Sequence, residues 1–198
     1  LFLVGELVVM AAVETAAEVA GMVTVGNAHD EGRHIGPVVN ATQFDKIQAL
    51  IQKGIDEGAR LVAGGTGRPD GFNRGFFVKP TVFADVTPDM TIANEEIFGP
   101  VLSIMKFETE EEVVALANDT PYGLTNYVQT QDGARANRMA RLLRSGMVEM
   151  NGQPRGAGAP FGGMKMSGNG REGGVFGIED FLEVKAVSGW TPEAHAAE

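Results

Sequence analysis

Cysteine is absent from the 198 residues. That excludes a disulfide framework, a thiolate nucleophile, an iron–sulfur cluster and a thiolate zinc site carried by this chain. Positive charge is scarce. Lys plus Arg number 16 against 26 Asp plus Glu, a formal net charge of −10. Phosphate binding needs a basic footprint, so nucleic acid is not an expected partner. No basic residue precedes Arg33, whereas a signal peptide needs a positive segment ahead of its apolar run. Long apolar runs are lacking too: Glu6, Glu14 and Glu18 interrupt the N-terminal stretch. A spanning helix needs about 20 apolar residues. The expectation is a cytoplasmic protein without membrane association.

Apolar residues make up 43% of the chain and charged residues 21%, a globular composition. The 27 glycines show no period, so they mark turns and close backbone approaches. Leu1-Phe2-Leu3-Val4 reads as a buried strand stump. Val9, Ala12, Val13, Ala16 and Ala20 share a face of a helix over about 7–21. A second helix over 42–57 is expected, capped by Thr42, with Phe44, Ile47, Leu50, Ile51 and Ile55 inward and Gly58 closing it. Strands are expected at 60–63, 101–105, 127–130 and 147–150, with 76–78 and 81–83 extended on either side of Pro80. Thr109 and Glu112 form a capping box for a helix to Asn118, and Asp132 caps another that runs to Gly146 with Ala136, Met139, Ala140 and Leu143 inward. A glycine-rich loop fills 151–174. The alternation in 182–187 predicts a half-exposed strand. Helices alternating with strands predict an α/β fold with a mostly parallel twisted sheet flanked by helices, without an interdomain linker.

Three segments carry most of the chemical information. They are Glu95-Glu96-Ile97-Phe98-Gly99-Pro100-Val101, Asn118-Asp119-Thr120-Pro121-Tyr122-Gly123-Leu124, and Pro160-Phe161-Gly162-Gly163-Met164-Lys165-Met166-Ser167-Gly168-Asn169-Gly170-Arg171-Glu172. In this order and at these separations they resemble the C-terminal half of the NAD(P)-dependent aldehyde dehydrogenase family. The resemblance runs from about residue 12 to 189. It implies a partial catalytic domain over 1–181, followed over 182–198 by a C-terminal oligomerisation strand and tail.

Aldehyde oxidation needs a nucleophile to form a tetrahedral adduct from which hydride leaves to a nicotinamide. It also needs an oxyanion site and a base that activates water. The resemblance implies a cysteine nucleophile, and places it a few residues ahead of Leu1. It also implies a glutamate base, an asparagine oxyanion donor and a dinucleotide-binding domain, all earlier in the family chain. No catalytic residue is therefore assigned here. Glu96 matches the family glutamate that hydrogen-bonds the nicotinamide ribose, a task suited to a carboxylate because it accepts from two vicinal hydroxyls. Phe98 matches the aromatic beside the nicotinamide. Phe161 matches the aromatic at the inner end of the substrate tunnel. Arg155 is a departure: many relatives have an aromatic or apolar residue there, and an arginine would favour a polar or carboxylate-bearing aldehyde.

NAD or NADP is the implied cofactor of the complete enzyme, with negligible binding expected of these residues alone. An aldehyde is the implied substrate and a homo-oligomer the implied assembly. Arg171 and Glu172 read as an ion pair or a loop clamp. His29 and His34 have poor ligand spacing, and no metal site is assigned. Two other readings stay open: a stand-alone binding or scaffold protein, and a hydrolase using another nucleophile. The second lacks a Gly-x-Ser-x-Gly motif.

Overall fold

The computed structural model describes residues 2–189. The chain divides into two compact units, Leu1–Ala117 and Asn118–Glu198. The division falls at the end of a helix, with no separate linker, inside the stretch that reads as one catalytic-domain segment.

The first unit opens with β1 (Phe2–Val4) and α1 (Glu6–Met22). Val13 of α1 is buried against Val82, Ala84 and Ile104, and Val9, Ala16 and Ala20 pack beside it. This is the face expected from the periodicity. Next comes α2 (Ala41–Asp56), whose Phe44, Ile47 and Ile51 enter the main core. Its N-cap is Asn40, not Thr42: the Asn40 Oδ1 accepts from the Gln43 N–H at 2.9 Å. Asn40 is extended (φ −163°) and its short side chain meets the first free amides, so the helix begins ahead of Thr42. At the other end, Gly58 takes φ +93°.

β2 (Arg60–Ala63) pairs antiparallel with β3 (Thr81–Ala84). A four-residue helix, α3 (Thr91–Asn94), precedes β4 (Val101–Ser103) and β5 (Met105–Phe107). The expected single strand over 101–105 is thus broken at Ile104. β4 pairs parallel with β3, whereas β5 pairs parallel with β1. Ile104 is 1% exposed at the switch, its N–H donating to Phe83 O and its carbonyl accepting from Val86 N–H. An apolar run marks burial but not which neighbour a strand pairs with. Residues 76–78 join no ladder, although Phe77 and Val78 are buried.

The capping box forms as expected at α4 (Glu110–Asn118). Thr109 Oγ1 accepts from Glu112 N–H at 3.1 Å, and the Glu112 carboxylate accepts from Glu108 and Thr109 N–H at 2.8 and 3.4 Å.

The second unit holds the parallel pair β6 (Thr125–Val128) and β7 (Met147–Met150), joined through α5 (Gly133–Leu142). β6 lies two residues ahead of the expected strand, because its register is set by β7. Asp132 caps α5 as expected, accepting from Ala134 and Arg135 N–H. The helix stops at Leu142, short of Gly146. Met139 is buried but Ala140 is exposed, because a ten-residue helix on a two-stranded ladder buries a narrow stripe. The glycine-rich loop contains a 3-10 turn (Lys165–Ser167) and leads into α6 (Gly174–Glu179), an element that its glycines argued against. Residues 182–188 form no strand among the described residues, and Val184 is 99% exposed. A lone edge segment has no ladder to join until another strand is supplied. The remainder of the expected tail, 190–198, lies outside the described residues. Three of the four strand pairings are parallel, so the α/β reading holds, spread over small ladders instead of one sheet. No helix among the described residues is long and apolar enough to cross a membrane.

Glu57 supplies a pH-dependent tie. Its carboxylate accepts from Thr91 N–H and Thr91 Oγ1, both at 2.7 Å, and lies 3.4 Å from Lys53 Nζ. The Thr91 hydrogen bonds, with help from Lys53, hold its pKa below the ordinary 4.5. A carboxylate with a lowered folded-state pKa stabilises above its unfolded value and loses that stabilisation as pH falls through the folded one. Glu57→Gln should therefore lower Tm at pH 7. The gap from wild type should close as the pH drops below the ordinary carboxylate range; a gap constant with pH would contradict this.

Candidate functional site

The first candidate cluster grows out of α2. Gln43 Nε2 donates to Ile97 O at 3.0 Å and to Phe98 O at 3.1 Å, and Lys46 Nζ donates to Glu96 O at 2.8 Å. Three consecutive carbonyls are thus held by two side chains one helical turn apart. Ile97 sinks into the core at 8% exposure, leaving its neighbours Glu96 and Phe98 outward. Phe98 is held at φ +55°, uncommon for an aromatic residue, and is 74% exposed. Gly99 follows because a Cβ there would come 2.6 Å from Ile47 Cδ1. The result is a fixed loop that presents a carboxylate and an exposed ring from adjacent positions. The Glu96 carboxylate makes no hydrogen bond among the described residues.

Gln43 and Lys46 were not singled out from the sequence. Their carbonyl partners lie 50 to 55 residues away, so no local pattern announces them.

The second cluster lies in the second unit, where the second and third motifs interlock. Asn118 Nδ2 donates to Leu142 O, and its Oδ1 accepts from Arg144 N–H. Lys165, at φ +58°, donates from Nζ to Asn118 O at 2.8 Å and Thr120 O at 2.9 Å. Gly123 N–H donates to Ser167 Oγ, while Gly123 O accepts from Met164 N–H. Gly146 lies so close to Gly162 that a Cβ would overlap the Gly162 carbonyl.

Phe161 and Glu172 exchange both backbone hydrogen bonds, at 2.8 and 2.7 Å. Arg171 settles one expectation. Its Nη1 donates to Gly163 O at 2.7 Å, Gly170 O at 2.9 Å and Asn169 O at 3.2 Å, so it acts as a loop clamp. The Arg155 guanidinium lies over the Phe161 ring, 5.3 Å from its centroid. Phe161 also lines a cleft of about 440 Å³ with Leu124, Arg171, Glu172, Asp180 and Phe181. The four candidate residues therefore form two pairs. Glu96 and Phe98 belong to the first unit, and Arg155 and Phe161 meet in the second. Of the two loop histidines, His34 has Nε2 2.7 Å from Asn27 O and closes its own loop. No group of three His, Asp or Glu among the described residues could hold a metal ion.

These motifs and their geometry define a class, and comparison with known proteins agrees. The model of the aldehyde dehydrogenase family matches residues 1–187, and the chain belongs to that family. It is 49% identical over 168 residues to a Staphylococcus saprophyticus protein assigned as an aldehyde dehydrogenase, covering 85% of this chain and 35% of that one. The crystal structure of aldehyde dehydrogenase from Bartonella henselae is similar with a TM-score of 0.92 at 56% identity, over 96% of this chain and 40% of that one. A mutant of aldehyde dehydrogenase C from Pseudomonas syringae, solved with NAD+ and octanal, gives a TM-score of 0.91 at 45% identity, over 98% of this chain and 40% of that one. The chain thus spans 35 to 40% of the length of these relatives.

The backbone contact at Gly146 yields a direct expectation. Gly146→Ala should destabilise the second unit by about 1–3 kcal/mol, since backbone has to move to admit the methyl. Urea denaturation followed by near-UV signals checks this, and a midpoint equal to wild type would refute it.

Proposed function

We propose that these residues form part of an enzyme that oxidises an aldehyde to a carboxylic acid with NAD or NADP. Glu96 accepts hydrogen bonds from the nicotinamide ribose hydroxyls, and Phe98 packs beside the nicotinamide. Phe161 lines the path of the aldehyde. Bound NAD(P) supplies the hydride acceptor. The observation that carries the reading is the Glu96–Phe98 loop. Its exposed carboxylate makes no hydrogen bond among the described residues, while its backbone is tied to α2 at three successive carbonyls. A free acceptor on a fixed backbone suits a vicinal diol, because little order remains to be imposed on binding. The solved relative with NAD+ and octanal supports both ligand classes.

These residues hold no cysteine, so the nucleophile implied for the family comes from outside them. We infer that the 198 residues by themselves do not turn over an aldehyde and have negligible affinity for the cofactor. A homo-oligomer completes the reading. Phe181 is 88% exposed and Val184 99%, large apolar side chains left facing solvent.

In the longer enzyme, Glu96→Gln should raise KM for NAD+ about tenfold, since a charged hydrogen bond is replaced by a neutral one. An unchanged KM would remove Glu96 from the ribose site. Titrating the 198-residue chain with NAD+ should leave its Tm unmoved, and a saturable rise would show a cofactor site complete in itself. Light scattering of the same chain should report a mass above the monomer; a monodisperse monomer would overturn the assembly.

A further inference from the structure

The third motif contains an Asn-Gly step, Asn169-Gly170, and the turn after β7 contains another, Asn151-Gly152. In such a step no Cβ shields the following amide nitrogen from the carboxamide carbon of the asparagine. The fold treats the two differently. Asn151 is held at both ends: its N–H donates to Val128 O at 2.8 Å, and its Oδ1 accepts from Thr130 N–H at 2.8 Å. Gln153 N–H closes the turn around it on Met150 O at 3.0 Å. Bringing that carboxamide onto the Gly152 nitrogen breaks the Thr130 bond. Asn169 and Gly170 are both exposed, and neither the Asn169 carboxamide nor the Gly170 N–H makes a hydrogen bond among the described residues.

The peptide that joins Asn169 to Gly170 is also polarised. Arg171 Nη1 donates to Asn169 O at 3.2 Å and to Gly170 O at 2.9 Å. Asn169 O is conjugated with the Gly170 nitrogen, so a fixed cation on it stabilises the negative charge left when that N–H gives up its proton. A base stands beside the same peptide. Asp180 Oδ2 accepts from Arg171 N–H at 3.3 Å and lies 3.9 Å from the point a Gly170 Cβ would occupy.

We propose that Asn169 is a site of spontaneous deamidation, promoted by Arg171 and Asp180. Asp180 takes the proton of Gly170 N–H, and the nitrogen attacks Asn169 Cγ. The new N–Cγ bond closes a succinimide ring. The Cγ–Nδ2 bond breaks, and the proton held by Asp180 leaves with that nitrogen as ammonia. Water then adds to either ring carbonyl and opens the ring to aspartate or isoaspartate. Both products place a new carboxylate on the loop that carries Glu172 and faces Asp180. Isoaspartate also adds a methylene to the main chain, which displaces the carbonyls that Arg171 gathers from 163, 169 and 170. The modification therefore loosens the clamped loop.

The test ages the 198-residue chain at mildly alkaline pH, folded and in urea. Peptide maps follow the mass gain of amide-to-acid conversion and separate aspartate from isoaspartate. In the folded chain Asn169 should convert several-fold faster than Asn151. In urea the two rates should converge, since each site then has only its Asn-Gly step. Equal rates in the folded chain, an intact Asn169 there, or the same preference in urea overturns the proposal. Asp180→Asn keeps an acceptor for Arg171 N–H but offers no base, and should slow conversion of Asn169 several-fold while leaving Asn151 unchanged. An unaltered Asn169 rate in that variant overturns it as well. Aged wild type should lose Tm, whereas Asn169→Ala aged alongside should keep its starting value; an equal fall in both overturns the loosening.

Discussion

Ile47 and Ile51 of α2 are wholly buried, and the first unit is organised around that burial. Each such side chain contributes about 1.5–3 kcal/mol by leaving water. The consequence reaches beyond stability. Once Ile47 is fixed, Gln43 and Lys46 are fixed on the adjoining face of the same helix, and both reach the carbonyls of 96–98. Ile47 also occupies the space that a side chain at residue 99 would need. One packed face therefore decides where the Glu96 carboxylate and the Phe98 ring stand, and why a glycine follows them.

The second unit is organised by another constraint, the close approach of backbone to backbone. Gly123, Gly146, Gly162 and Gly163 all sit where a Cβ would meet main-chain atoms. Carbonyls crowded in this way need donors, and the loop supplies them from the side chains of Lys165 and Arg171. That leaves the neighbouring Arg155 as a cation without such a duty, resting on Phe161.

Much of this was legible in the sequence where the signal was local. The strands at 60–63 and 147–150, the capping box at Thr109 and Glu112, and the Asp132 cap follow from short-range pattern and chemistry. The errors share a cause. Ile104 divides one apolar run between two ladders, β6 starts ahead of its most strand-like residues, and α6 forms despite its glycines. Gly177 of α6 shows why: it packs against the main chain of Glu172, where a larger residue would crowd. In each case a contact distant in the chain outweighed local propensity.

The sequence by itself determined the family, through three motifs in register, and excluded thiol chemistry for these residues through the absence of cysteine. It also named Glu96, Phe98, Arg155 and Phe161 as the residues to watch. Only the tertiary structure decided how they are held: the carbonyls of 96–98 bound from α2, and the Arg155 guanidinium set over the Phe161 ring. The reason is physical. Residue types and spacings specify which groups can interact, but a hydrogen bond across fifty residues or a stacked ring exists only once packing has fixed both partners.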